Sequence, residues 1–300
     1  MRVTDKILQN NFITNLAFNT ERLYEQEMKV LTNKRINKPS DDPVGVMSSL
    51  TIRTRLSEIE QYKRNIDRSK TLITDTETAV TQLADIIQSV NTLTIQGASD
   101  GYVDNDRMSI SYEVDGLLEH VLTLANSRSE SIYSFAGTNN DTAAYSAIRN
   151  DADEITSVTT SGSSGEIIGV VGENLKLKIN INGEDLFESG QNIFDVLIDI
   201  RDNLREGNTD QLREDLNILD EAAEKVYNTQ AVLGSRLNRI TAAESRAEDD
   251  VLNFTEFLSD TEDADASQVI IDYQMELLTL QSSLQAGARL LQPKLADFLK

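Results

Sequence analysis

Cysteine and tryptophan are absent from this 300-residue sequence, and proline occurs only three times. The lack of cysteine excludes disulfide bonds, thiolate metal sites and thiol nucleophiles. Few prolines and only 5% aromatic residues favour long helices over a compact, β-rich or enzyme-like body. No apolar run approaches the length of a membrane span, and the first residues lack the apolar core and cleavage site of a secretory signal. We therefore expect either a cytoplasmic protein or one exported by a route that does not use such a signal.

Positive charge is also scarce, because 28 lysines and arginines face 50 acidic residues and leave a net charge of −22. This acidity argues against nucleic acid and against anionic membrane surfaces as partners. The single histidine, His120, has no cysteine or second histidine with which to share a metal ion. We therefore interpret it as a flanking residue of a helix.

Apolar residues at seven-residue spacing dominate the sequence and predict two very long helices, at about 43–96 and 212–258. The two series are Ile52, Ile59, Ile66, Ile73, Val80 and Ile87, and Leu212, Leu219, Val226, Leu233, Ile240, Ala247 and Phe254. Their matched lengths predict an antiparallel pair, with a helix at about 105–128 alongside as a bundle. A further short helix is predicted at about 192–206.

Residues 139–190 differ from the rest of the chain because they contain most of the clusters of glycine, serine and threonine. Residues 167–171 form a short apolar strand candidate, and residues 175–181 alternate between apolar and polar side chains. Asn182 and Gly183 follow as a turn signal. The pattern predicts a small β-rich outer domain.

The stretch 31–43 breaks the helical pattern and contains Pro39 and Pro43. Pro39 cannot continue a helix, whereas Asp41 and Asp42 suit a helix N-cap and Pro43 suits the first helical position. We predict a hinge motif formed by Lys34, Arg35, Asn37, Pro39, Asp41, Asp42 and Pro43. Its adjacent basic and acidic halves make it a candidate for contacts between subunits, and a turn satisfied within one chain is the alternative.

Amphipathic helices are predicted at both ends of the chain, at about 3–36 and 270–298, and the apolar stripe of the first is too thin to form a stable helix alone. We predict that they pair with each other or with other copies and form coiled coils on assembly. The predicted assembly interface consists of Leu16, Leu23, Val30, Ile270, Leu277, Leu284, Leu291 and Phe298. Gly287, on the same C-terminal segment, would allow another backbone to come close.

The expected fold is therefore mainly α: an elongated antiparallel bundle of long helices with heptad seams, plus a small β-rich insertion. We expect an N-terminal assembly helix and hinge at 1–42 and the first half of the helical body at 43–138. The β-rich outer domain at 139–190 follows, then the returning half of the body at 191–262 and a C-terminal assembly helix at 263–300.

No combination of residues predicts catalysis, a cofactor or a metal site. Asp104, Asn105 and Asp106 begin like a calcium-binding loop, but Met108 and Ser109 stand where that loop needs acidic residues and glycine. We expect that the protein is not an enzyme.

Several motifs resemble those of the bacterial flagellin superfamily. The most recognisable runs from Lys34 to Gly45, and similar motifs occur at 96–98, 234–239 and 280–286. The start at 1–4 and the Tyr-Ser-Phe-Ala-Gly-Thr run at 133–138 resemble the branch of the superfamily that joins hook and filament. Asn33 departs from the family pattern, which has glycine before the Lys-Arg pair. Asparagine tolerates left-handed conformations, so the same tight turn can form.

The resemblance implies a secreted structural protein of the bacterial flagellum that caps the hook and adapts it to the flagellin filament. It implies export by the flagellar type III apparatus, and terminal helices that are disordered in the free subunit and form the inner tube on assembly. The implied partners are a ring of further copies, hook-associated protein 1, flagellin and a flagellar export chaperone. The alternatives are a flagellin of the same superfamily and a cytoplasmic coiled-coil adaptor.

Overall fold

The computed structural model describes residues 2–291, and most of them are helical. The helices are α1 (Arg2–Thr32), α2 (Pro43–Gly97), α3 (Asp104–Ala125), α4 (Ile193–Glu206), α5 (Thr209–Glu262) and α6 (Ala266–Leu291). The strands are β1 (Arg128–Ser129), β2 (Ile132–Tyr133), β3 (Tyr145–Arg149), β4 (Ile155–Thr160), β5 (Ile168–Gly172) and β6 (Leu175–Lys178), and a short π-helix spans Glu184–Glu188. The predicted fold class, long helices with a small β-rich insertion, is confirmed.

The described chain divides into two compact units. The terminal unit contains the chain up to Glu58 and the chain from Asp250 onward, and the body unit is Ile59–Asp249. The predicted domain limits at 42/43 and 262/263 coincide with the start of α2 and the end of α5. The spatial division instead falls inside α2 and α5, because the first turns of α2 and the last turns of α5 bond to the hinge stretch described below.

In the body unit, α2 and α5 run antiparallel and bury the two series of apolar residues at seven-residue spacing. Lys70 on α2 pairs with Glu244 on α5 at 2.6 Å, and Asn91 donates to Asp220 at 2.9 Å. Partner numbers thus fall along α5 as they rise along α2, as the predicted antiparallel pair requires. The fully buried members of the two series are Ile66, Ile73, Val80, Leu212, Leu219, Val226, Leu233 and Ile240.

Helices α3 and α4 pack together, and a buried arginine of α4 forms hydrogen bonds to both α3 and β4. Arg201 on α4 is 3% exposed, and its guanidinium donates to the Asp115 carboxylate on α3 at 3.0 Å and to the Ile155 carbonyl at 2.8 Å. The neighbouring Asp202 accepts a third bond at 2.8 Å. These bonds satisfy a charge that would otherwise be costly to bury.

The insertion consists of two antiparallel hairpins, β3–β4 and β5–β6. The sequence pattern identified β5 and β6 but not β3 and β4. Phe135, Tyr145, Phe187 and Phe194 form an aromatic cluster with neighbouring ring centroids 5.2–5.4 Å apart. All four rings are buried, and the cluster packs the insertion against its flanking segments, because Tyr145 and Phe187 belong to the insertion whereas Phe194 lies on α4 and Phe135 precedes the insertion.

Candidate assembly site

Helices α1 and α6 pair antiparallel within the terminal unit. Asn19 on α1 donates to the Ser283 hydroxyl on α6 at 2.8 Å, and Arg22 forms an ion pair with Glu276. Further along α6, a Cβ added to Gly287 would lie 2.0 Å from the Cζ atom of Phe12. The glycine thus admits an aromatic ring of α1, where the sequence predicted the close approach of a backbone.

The predicted interface residues of α6 do not face α1. Ile270, Leu277 and Leu284 are 48%, 37% and 51% exposed. The residues directly before them, at 269, 276 and 283, are more buried and include the partners of α1. The predicted series therefore lies beside the α1 contact and has no helix packed on it in the described part of the chain.

The predicted interface residues of α1 are partly covered. Leu16 and Leu23 are half-buried and share a helix face with Phe12 and Asn19, whereas Val30 is 39% exposed. At the other end of the chain, Leu291 is the last residue of α6, and Phe298 lies outside the described residues.

The terminal helices expose further large apolar side chains that do not belong to the predicted interface. Several lie directly beside its residues in the sequence, as Tyr24 and Leu31 do beside Leu23 and Val30. These further side chains are Ile7, Leu8, Ile13, Phe18, Tyr24 and Leu31 on α1, and Ile271, Met275 and Leu278 on α6. Clustered exposed apolar side chains of this kind mark protein–protein contact surfaces.

The hinge stretch 33–42 bonds to the segment that joins α5 to α6. Asn33 has a φ of 55°, a left-handed conformation that asparagine tolerates. The Arg35 N–H donates to the Glu262 carbonyl at 2.7 Å, and the Ala264 N–H donates to the Asn33 carbonyl at 3.1 Å. Two backbone hydrogen bonds therefore join the connection between α1 and α2 to the connection between α5 and α6.

The second half of the hinge starts α2 as the prolines and acidic residues predicted. Asp42 is the N-cap, and its carboxylate accepts a hydrogen bond from the Gly45 N–H at 2.9 Å. This bond lowers the pKa of Asp42 below its ordinary value. Pro43 occupies the first helical position, where its missing N–H costs nothing.

The basic residues of the hinge find partners within the same chain. Arg35 donates to the Thr261 carbonyl at 2.9 Å, and Lys38 pairs with Glu25 on α1 at 2.9 Å. Pro39 and Asn37 lie between these contacts, and the carboxylate of Asp41 accepts the N–H of Asn37 at 3.0 Å. The described residues thus provide a turn satisfied within one chain, although Lys38 keeps 53% of its side chain exposed.

Glu262, the last residue of α5, connects the hinge to α2, and sequence reasoning missed it. Its carboxylate accepts from the Arg53 guanidinium at 2.9 Å and 2.5 Å and from the Lys34 ammonium at 2.7 Å. The bonds to Arg53 and then Lys34 lower the pKa of Glu262 to about 2. Only a structure could reveal this, because more than 200 positions separate the acid from its partners.

The Glu262 cluster predicts an acid-sensitive hinge. Since the folded pKa is depressed, the stabilisation is fully present above the ordinary value of 4.5 and is lost as the pH falls towards 2. Glu262→Gln should lower the opening free energy at the Arg35 amide by about 1.5–3 kcal/mol at pH 6, because charged hydrogen bonds are lost. Amide hydrogen exchange measures this, and the difference from the parent should shrink as the pH falls from 4.5 and disappear below about 2.

Glu256→Gln is the matched control, since Glu256 lies exposed on the same helix. An equal effect of the two substitutions, or a Glu262→Gln effect that does not change with pH, would contradict the assignment.

Within residues 2–291, no three histidine or acidic side chains gather in a way that could hold a metal ion. His120 is exposed on α3. No helix in this range combines the length and apolar character needed to cross a membrane.

The chain is similar in sequence to known flagellar proteins. The bacterial flagellin N-terminal helical region matches residues 3–140. Flagellar hook-associated protein 3 of Escherichia coli strain K12 is 24% identical over 303 residues, which cover 90% of this chain and 96% of that protein. The flagellar filament 30.7 kDa core protein of Treponema maltophilum is 25% identical over 269 residues, which cover 89% and 88%.

The fold has a counterpart among solved structures. The crystal structure of the flagellar junction protein FlgL from Legionella pneumophila aligns with a TM-score of 0.60 and 16% identity, over 73% of this chain and 100% of that one. The family match spans α1, α2 and α3, and the relatives align over nearly their whole length. The chain is therefore similar to proteins of the bacterial flagellin superfamily and, among them, to flagellar hook-associated protein 3.

Proposed function

We propose that this protein is a structural component of the bacterial flagellum that joins the hook to the flagellin filament and has no enzymatic activity. The near full-length similarity to hook-associated protein 3 of Escherichia coli carries the proposal. The exposed apolar side chains of α1 and α6 support it, because a surface of this kind requires a protein partner.

Assembly in this proposal proceeds through the terminal helices. The α6 residues Ile270, Leu277 and Leu284 lie beside the α1 contact and are 37–51% exposed in the single chain. Covering them in a neighbouring subunit would remove apolar surface from water and stabilise the polymer. The partners are further copies in a ring, hook-associated protein 1 and flagellin. A chaperone would hold the chain before export by the flagellar type III apparatus to the cell exterior.

The triple variant Ile270→Ser, Leu277→Ser and Leu284→Ser tests the assembly surface. Each lost contact should cost about 1 kcal/mol or more, so incorporation into flagella should fall by at least about a hundredfold. Quantitative immunoblotting of isolated flagella measures this. The matched control replaces the exposed polar residues Gln274, Gln281 and Gln285 with serine and should incorporate normally. Normal incorporation of the apolar triple variant would exclude this face from the interface.

Electron microscopy of a strain that lacks this gene tests the function as a whole. We expect hooks without filaments, with flagellin shed into the medium, and both defects should be repaired by the parent gene. Normal swimming with intact filaments would overturn the proposal.

A flagellin function is the second candidate, because the Treponema maltophilum filament core protein is similar over 88% of its length. Immunogold labelling separates the two candidates. A junction protein should be labelled only at the hook end of the filament, whereas a flagellin should be labelled along its whole length.

A further inference from the structure

The first turns of α2 expose apolar side chains that neither α1 nor the hinge covers. Val44, Met47 and Leu50 are 78%, 72% and 58% exposed, although they lie in a regular helix beside the buried Ile36. They are separate from the α6 surface discussed above. Three neighbouring large side chains at three-residue spacing form one apolar strip, here called the α2 strip.

A pocket of about 240 Å³ lies next to the α2 strip, and Leu50 belongs to both. Its lining contains three cations, Lys34, Lys38 and Arg53, and one carboxylate, that of Glu262. Glu262 is already neutralised by two of these cations. Three cations against one carboxylate leave the lining with an excess of two positive charges, and the Lys38 ammonium also pairs with Glu25 outside the lining while 53% of its side chain stays exposed. Within a chain of net charge −22, this pocket suits an acidic side chain that is carried next to apolar ones.

The last turns of α5 carry the complementary character. Leu252 and Phe257 are 69% and 56% exposed. Glu256 and Asp260 are exposed beside them, one helical turn apart. These four residues, here called the α5 strip, form an exposed acidic and apolar surface.

We propose that the α2 strip and basic pocket of one subunit bind the α5 strip of a second copy of this chain. The inference rests on the proposed function, because it specifies how the subunits meet. The occupant is a second copy because opposite charges and exposed apolar residues occur on two surfaces of one and the same chain. Two α2 strips would instead bring two basic pockets together. Since the two surfaces differ, the contact is heterologous and repeats from subunit to subunit, as a ring requires.

Engineered cysteines test the contact in a parent chain that has none. One copy carries Met47→Cys, and a second copy with a tag of different size carries Phe257→Cys. Both are expressed in the deletion strain, and the isolated flagella are treated with a short bismaleimide. We expect a cross-linked dimer that contains one copy of each kind. The pair Met47→Cys and Ile168→Cys is the matched control, because Ile168 is 55% exposed on β5 in the body unit.

Charge reversal tests the electrostatic attraction between the basic pocket and the α5 strip. Asp260→Lys in the Phe257→Cys copy should lower the yield of the mixed dimer by about tenfold or more, because it turns attraction into repulsion. Lys38→Glu in the Met47→Cys copy should restore the yield. Lys38→Glu also breaks the ion pair with Glu25, so the restored yield shows in addition that the variant hinge still folds.

The same cysteine pairs are also mixed as purified full-length chains. This second preparation tests the contact even if the protein is not part of the isolated flagella. A mixed-dimer yield no higher than that of the Ile168→Cys control, in both preparations, overturns the inference, as does preferential cross-linking between two Met47→Cys copies. Either result leaves the proposed function standing, because the gene-deletion phenotype tests that function independently.

Discussion

Removal of residues 263–300 is expected to abolish incorporation into flagella while the body unit stays folded. The truncation deletes α6, which provides both the helix paired with α1 and the exposed series Ile270, Leu277 and Leu284. The body unit, Ile59–Asp249, loses none of its own residues. Its melting temperature, followed by circular dichroism, should therefore change little, and immunoblotting of isolated flagella should find no truncated subunit.

A substitution in the core of the body unit shows how large a loss of stability would have to be to contradict this prediction. Ile73 is fully buried in the body unit, and Ile73→Ala should cost about 2–5 kcal/mol through lost apolar contact and a cavity. If the truncated chain lost as much stability as Ile73→Ala, the C-terminal helix would contribute to the stability of the body unit. The proposal that α6 serves assembly alone would then be wrong.

The helical framework could be predicted because its signal is long and redundant. Six residues from Ile52 to Ile87 share one register on α2, so an error at one position changes nothing. The break at 33–42 could be predicted equally well, since Pro43 and Asp42 favour a helix start by local chemistry alone. In both cases the physical cause lies within a few residues of its effect.

The face of α6 that contacts α1 could not be predicted from apolar periodicity. The contact uses Glu276 and Ser283, which bond to Arg22 and Asn19 on α1. Apolar periodicity finds the α1 side of this contact, where Leu16 and Leu23 are half-buried, but it gives no signal for polar contact residues on α6. It selects the adjacent series of Ile270, which the structure leaves exposed.

Strands β3 and β4 were missed for a related reason. Only Tyr145 and Ile155 are fully buried in them, and the other positions are mostly small, polar or exposed, so no alternation marks the hairpin. The hairpin is held instead by neighbours distant in sequence. Arg201 on α4 bonds to the Ile155 carbonyl, and Arg149 pairs with Glu119 on α3.

A large loss of body-unit stability is expected from Gly137→Ala, in the run at 133–138. Gly137 has a φ of 62°, and an added Cβ would lie 1.8 Å from the Ser163 carbonyl oxygen. That carbonyl cannot simply withdraw, because the Ser163 N–H donates to the Ala136 carbonyl at 3.1 Å and the Ser163 hydroxyl accepts from the Thr138 N–H at 2.8 Å. We expect a loss of about 3–5 kcal/mol in denaturant unfolding, the sum of backbone strain and a broken contact.

Substitutions at two other glycines of the body unit separate the backbone strain from the steric contact. Gly190 also has a positive φ, 83°, but no described atom lies within 4 Å of its added Cβ, so Gly190→Ala should cost only the conformational strain of about 1–2 kcal/mol. Gly116 lies within α3 with similar open space, so Gly116→Ala should stabilise by about 0.5–1 kcal/mol through helix propensity. If Gly137→Ala were no worse than Gly190→Ala, the segment around Ser163 would yield to the methyl group. The close approach of Ser163 to Gly137 would then contribute nothing to the stability of the insertion.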